Sequence, residues 1–539
     1  MPTRPETARA DAPALPEERS GASANRVPSA FPRFSWPVLL PLLTLLAALV
    51  HSPSFVRPVW NPDEGFLATQ ARVLASGGVL YDTVVDRKPP FLPWLYQGAF
   101  ALFGDGSLWP LRVAAVAAHV VTAALLVSLA RRRWGDRWGA AAGFCYLLLS
   151  VGLAPEDTQA ATFEVFTLPW TAAAVLCADR GRWGAAGVAV AGAALTKQTG
   201  AVVLLPVVWM LWRTHRGSPA APAGAWGRLA AGCALPVAAV AAATGVGRFV
   251  FWTVTGSGAY ISPEGAWLLA AGRGLGNAAI LTAAGAGLVL PALWIAARRR
   301  AGAGVELWVW LGASAVAVVA GFQFYGHYYL QLLPPLTLVG IAALRRLPAR
   351  GPARKAAAVW TVLAAAAFTG WGFTAPRAEL DHARAVAAAI RAHTDADGTV
   401  LVWGMHPEHY WLSGRAPAGR FLTAGFLTNF SGGRGGARVG EEYAVPGAWA
   451  DFRREFAAAP PAVVVDDSRG APYGAAHIPG LRALLDGGGY ERVATADGAV
   501  LYARPGRGQG LSDGSCGLIR AVAYGSSSPI RQPPLASAG

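Results

Sequence analysis

Charge is scarce in this chain: Asp, Glu, Lys and Arg make up 14% of 539 residues, and acids are outnumbered 31 to 46. Cysteine is scarcer still. Of the four, Cys145, Cys177 and Cys233 lie in apolar runs and Cys516 near the end, with no CxxC or Cys/His ligand spacing. That excludes a disulfide framework and a cysteine-based zinc site. No basic groove interleaved with aromatics is legible, which excludes nucleic acid as the partner of the +15 net charge. No cleavable signal peptide is present; the first apolar run is long enough to remain as a signal anchor. No internal repeat is found, which argues against a transporter built from two halves.

What the chain does have is apolar length. The mean hydropathy is +0.36, and runs of near-spanning length recur from residue 36 to residue 375, which defines a polytopic helical membrane protein. Eleven spans are expected, at about 36–55, 108–130, 138–153, 163–178, 183–195, 201–212, 229–246, 275–297, 305–322, 329–344 and 356–371. The apolar patch 266–271 is expected to lie at the interface. Arginine clusters fall in alternate loops: Arg131, Arg132, Arg133 and Arg137; Arg180 and Arg182; Arg213, Arg216 and Arg228; Arg298, Arg299 and Arg300; Arg345, Arg346, Arg350 and Arg354. The positive-inside rule makes these loops and the N-terminus cytoplasmic, so the stretch 60–96 and everything after residue 375 lie outside.

Four segments follow: a disordered cytoplasmic tail 1–33, a transmembrane domain 34–375, an extracytoplasmic α/β domain 376–504, and a disordered Gly-, Ser- and Pro-rich tail 505–539. The α/β domain is read from an amphipathic helix at 377–393, buried strands at 398–403 and 461–466, a short helix at 481–485, and a hairpin over 490–493 and 500–503 turning on Ala-Asp-Gly.

The unusual polar residues fall on one side of this topology. Asp63 and Glu64 open a short helix (64–76) expected to lie along the membrane, and Arg87 and Lys88 follow in Asp-Arg-Lys-Pro-Pro. Glu156 and Asp157 occupy a tight loop, Glu164 begins the next span, Lys197 and Gln198 separate two spans, and His327, Tyr328 and Tyr329 lead into another. Each has a bland reading: a helix cap for Asp63, headgroup anchors for Arg87, Lys88 and Lys197, a solvated turn for Glu156 and Asp157, an aromatic belt for residues 327–329. Charges at a membrane edge are costly, and their shared side makes a site the stronger reading. Carboxylates beside cations at the lipid boundary suit a reaction whose donor is a lipid phosphate. His406, Glu408 and His409 lack a further ligand, so no metal is assigned; a need for a divalent cation is left open.

Asn61-Pro62-Asp63-Glu64, Asp86-Arg87-Lys88-Pro89-Pro90, Leu195-Thr196-Lys197-Gln198 and the run from His327 to Pro335 together resemble the GT-C superfamily of integral membrane glycosyltransferases. Within it, the chain looks like the bacterial branch related to protein O-mannosyltransferases and the lipid A aminoarabinose transferase. The resemblance implies transfer of a hexose or pentose from a polyprenyl-phosphate donor to a hydroxyl of a protein, lipid or envelope glycan, outside the cell membrane. It implies Asp63 as catalytic base with Glu64 shaping the site, and Lys88, with Arg87 and Lys197, at the donor phosphate. Glu156, Asp157, Glu164, Gln198, His327, Tyr328 and Tyr329 are weaker substrate contacts. The competing readings are a flippase or transporter of lipid-linked sugars and a catalytically inactive envelope scaffold.

Overall fold

The computed structural model describes residues 35–216, 222–256, 267–297, 304–430 and 438–504. The expected tails, Arg298, Arg299, Arg300 and Cys516 lie outside them. Each expected span overlaps one helix or two consecutive ones, but most helices are short. Trp109–Trp134, Ala223–Thr244 and Pro352–Ala392 are long and apolar enough to cross a membrane. Large apolar side chains point outward, among them Leu45, Leu102, Leu275 and Leu363. Such a surface is stable against lipid, and every helix satisfies its own backbone there. The chain is a helical membrane protein; eleven crossings remain an expectation.

Two readings of the apolar runs are corrected. The span expected at 275–297 is two helices, Trp267–Ala284 and Ala286–Ala297, meeting at 98°. The first absorbs residues 267–271 of the patch expected to lie separately at the interface. A further helix, Phe91–Phe103, stands where no span was expected. Run length locates apolar helices but does not sense where a chain turns sharply inside one.

The helix bearing the acid pair, Pro62–Ala75, starts earlier than its apolar pattern suggests. Asn61 caps it, its side chain accepting from the Glu64 amide at 3.4 Å, with Pro62 in the first turn. Asp63 is therefore free of the capping role. We call this element the site helix.

The C-terminal part carries a five-stranded sheet of order β2-β1-β3-β5-β4, formed by β1 (Thr399–Trp403), β2 (Ala416–Pro417), β3 (Val463–Asp466), β4 (Glu491–Ala496) and β5 (Ala499–Ala503). β1 runs parallel to β2 and β3, with Val400 opposite Val463, and β3 pairs antiparallel with β5. Asp497 and Gly498 turn the closing hairpin with φ of 45° and 86°, the left-handed pair that suits a two-residue hairpin turn. Val463, Val464 and Val465 are buried in one apolar cluster that also takes in Val386 and Ile390 of the amphipathic helix Ala378–Ala392. Helices Glu408–Ser413, Gly425–Thr428 and Ala448–Ala458 were not expected.

This domain docks on the site helix. A Cβ added to Gly65 would lie 2.4 Å from the Glu408 Cα, so only glycine allows the approach. Thr69 donates to the Pro407 carbonyl at 3.3 Å and Arg72 to that of Trp411 at 3.0 Å. The Val85 amide reaches the Arg420 carbonyl at 3.2 Å.

Candidate functional site

Asp63 and Glu64 are adjacent in sequence and sit in opposite environments. Glu64 is fully buried. One carboxylate oxygen accepts from the Ala161 amide at 2.6 Å, the other from the Trp60 amide at 2.8 Å, and Arg112 bridges both at 2.5 and 2.7 Å. Arg112 also donates to the Gln159 carbonyl at 2.6 Å. This pair binds the start of the site helix to helix Trp109–Trp134 and to the loop before helix Phe163–Asp179. Glu64 thus anchors the start of the site helix to its neighbours. Arg112 was not singled out as a partner, although an arginine inside an apolar run signals one.

Asp63 faces the other way. Its carboxylate meets Lys88 Nζ at 3.1 Å, with their side chains 33% and 28% exposed. Lys88 also lies 4.2 Å from the centre of the Phe163 ring, and its backbone amide donates to Asp86 at 3.1 Å. Deeper in, Lys197 pairs with Glu164, which is wholly buried, and stands 3.9 Å over the Tyr328 ring. His327 completes the set: Nδ1 is 2.9 Å from Asp157 and Nε2 3.9 Å from Glu164. Residues from five separate stretches of sequence thus form three ion pairs around one rim.

The loop presenting His327 is built under constraint. Phe322 and Phe324 adopt φ of 50° and 52°, a region that bulky residues rarely enter. Arg273 and Asn277, from one arm of the bent pair, donate to the Gln323 and Phe324 carbonyls, each at 2.9 Å. At Gly326 a Cβ would fall 2.0 Å from an Asp157 carboxylate oxygen. Glycine here lets Asp157 accept from the His327 amide at 2.8 Å.

The charges act on one another. Burial would raise Asp63, but Lys88, then His327 and Lys197, hold it below the usual carboxylate range. Burial would lower His327, but Glu164, Asp157 and Asp63 raise it, so it leans towards the imidazolium. Burial lowers Lys197 despite Glu164. Asp86, not singled out from sequence as a site residue, is pushed up to about 6 by burial and by Asp63, with Lys88 opposing.

Other expected residues lie further from the rim contacts. Arg87 reaches the C-terminal domain, 3.4 Å from the Gly425 carbonyl and 4.6 Å over the Phe426 ring. Gln198 holds the Arg87 carbonyl at 2.5 Å. The Glu156 side chain is exposed, while its carbonyl accepts from Asn61 at 2.9 Å. Tyr329 is buried and donates to the Gly274 carbonyl at 2.7 Å.

A helical bundle with a small appended α/β domain and an ion-pair rim at the first loop defines a helical membrane protein with a polar site at one edge. Residues 87–242 match the family described as dolichyl-phosphate-mannose-protein mannosyltransferase. That segment includes Lys88, Glu164 and Lys197. Two solved structures share the fold: ArnT from Cupriavidus metallidurans bound to undecaprenyl phosphate, and the same protein in the apo state. The first aligns with a TM-score of 0.52 at 18% identity, over 88% of this chain and 99% of the other. The second aligns with a TM-score of 0.56 at 18% identity, over 87% and 97%. No curated protein matches. The family match and the shared fold bear out the resemblance to GT-C glycosyltransferases.

Proposed function

We propose that this chain is a membrane glycosyltransferase that moves a sugar from a polyprenyl-phosphate donor to an acceptor hydroxyl at the rim formed by Asp63 and Lys88. The observation carrying this reading is the partly exposed Asp63–Lys88 pair at 3.1 Å, backed by the buried Lys197–Glu164 pair. Undecaprenyl phosphate bound to a protein of this fold favours a lipid phosphate as the donor's leaving group.

An incoming phosphate competes with Asp63 for Lys88. Once Lys88 turns to the phosphate, the Asp63 carboxylate is free to accept the proton of an acceptor hydroxyl. The acceptor oxygen then bonds to the anomeric carbon as the bond from that carbon to the phosphate oxygen breaks, with inversion. The electron pair leaves on the phosphate, where Lys88, Lys197 and protonated His327 offset the charge. Because Asp63 is held ionised, it is in the accepting form at neutral pH. The sugar, the acceptor class and the outward orientation of the rim belong to the same proposal.

The test is sugar transfer from labelled polyprenyl-phosphate sugars in membranes carrying wild type, Asp63→Asn or Lys88→Ala. Loss of transfer in both, with folded protein present, supports the assignment. Full transfer by Asp63→Asn would refute the base role.

A further inference from the structure

A second knot of ionisable groups lies in the C-terminal domain, away from the rim. We propose that His382, His409 and Asp467 bind a divalent transition-metal ion, zinc by their chemistry, and that this ion clamps the C-terminal domain onto the site helix. The inference rests on the domain's own geometry and not on the glycosyltransferase reading.

The three residues come from three elements: helix Ala378–Ala392, helix Glu408–Ser413, and the turn directly after β3. All are buried, and their ligand atoms lie within 4.8 Å of one another. His409 Nε2 is 2.9 Å from an Asp467 oxygen, and His382 Nε2 is 3.1 Å from each. Two imidazoles and a carboxylate are a donor set suited to zinc, and three protein ligands leave a fourth position for water.

Two further observations point to a cation. His382 turns its other nitrogen, Nδ1, to Asp497 at 3.0 Å, and a metal-bound histidine is commonly oriented by a carboxylate in this way. Among the described residues His409 keeps a buried Nδ1 with no hydrogen-bond partner, so the bonds they make do not satisfy this cluster.

Further charged groups surround the three ligands. His406 stacks beside His409 with ring centres 5.8 Å apart, and its Nδ1 is 3.0 Å from Glu408. Arg469 donates to His406 Nε2 at 2.8 Å, contacts Glu379 at 3.2 Å and lies 3.5 Å from Asp467. Glu379, Glu408, Asp467 and Asp497 thus all contact this group of imidazoles and Arg469. Arg469 is partly exposed on a flexible stem, so it can yield to an ion while Asp467 stays in place.

The site's position gives the ion a role. His409 follows Glu408, the residue in closest approach to Gly65 of the site helix. An ion joining helix Glu408–Ser413 to Asp467 and His382 would tie that docking helix to the sheet and to helix Ala378–Ala392.

The test uses the full chain purified through a tag without histidines, with metal content measured by mass spectrometry and Co²⁺ titrated into stripped protein. The expected result is one equivalent of bound metal, with visible absorption bands of nitrogen- and oxygen-ligated Co²⁺. His382→Gln combined with His409→Gln should lose both, while His406→Gln, outside the ligand set, should keep both. Chelation should lower the unfolding temperature of wild type and leave the double variant unmoved. Stripped wild type that takes up no Co²⁺ would overturn the proposal, whatever the variants' folding. Metal retained in the double variant would overturn the ligand assignment.

Discussion

Two knots of charge, joined through the contact of Gly65 with Glu408, ring their carboxylates with different mixtures of basic side chains. The rim around Asp63 uses Lys88, Lys197 and His327, and its outer pair is about a third exposed. The knot around Asp467 uses imidazoles and is sealed at its centre. A lysine on a flexible stem can leave a carboxylate for an arriving anion and return. Imidazoles locked in a buried cluster cannot travel, but they can hold an ion in place. The same raw material, carboxylates ringed by basic side chains, thus suits an exchanging ligand in one region and a resident one in the other.

The largest way to break this contrast is at the rim. Asp63→Asn is expected to lower transfer by about 10²–10⁴-fold, the scale of a lost general base, measured as initial rate in membranes. Its unfolding midpoint should barely move, because a partly exposed ion pair contributes only about 0–1 kcal/mol.

Arg112→Met reverses that pattern by leaving Glu64 as an uncompensated buried charge. A loss of roughly 3–5 kcal/mol of stability is expected, read as the unfolding midpoint in detergent. An unchanged midpoint would show that Glu64 does not need its partner. Gly65→Ala strikes the joint between the two regions, since its methyl meets the Glu408 backbone. Overpacking of this kind costs about 1–3 kcal/mol, and it should loosen the C-terminal domain, seen as faster proteolysis between the two parts.

A finer probe is pH. His327 is raised by Glu164, Asp157 and Asp63 against the effect of burial. A group raised in the folded state contributes stability that is complete below its unfolded pKa of about 6.5 and is lost as pH rises through the folded value. Donor binding and stability should therefore both weaken on the alkaline side of that window. Asp157→Asn should move the alkaline limb of donor binding to lower pH; a limb that stays in place would remove His327 from the site. The smallest effect is expected from Asp105→Asn, which breaks an exposed bridge to Arg72 and should change stability by less than about 1 kcal/mol.

The sequence by itself carried a good deal. Apolar run length located the helices because a lipid-facing helix must be apolar along its length. The scarcity of charge made Asp63, Glu64, Lys88, Lys197 and His327 conspicuous, and four short motifs carried the GT-C resemblance. The Val-rich strands and the Asp-Gly turn announced the sheet, since short runs of β-branched residues and left-handed turn preferences are local properties.

Only the tertiary structure decided the rest, because it depends on which distant residues meet. It separated the roles of Asp63 and Glu64 by burying one against Arg112 and turning the other to Lys88. It bent the expected span 275–297 by 98°, and used one arm to hold the loop before His327. It also supplied His409 with His382 and Asp467 as neighbours, which no spacing in the chain could announce. Local pattern fixes what a segment can be; partners brought together over hundreds of residues fix what its side chains do.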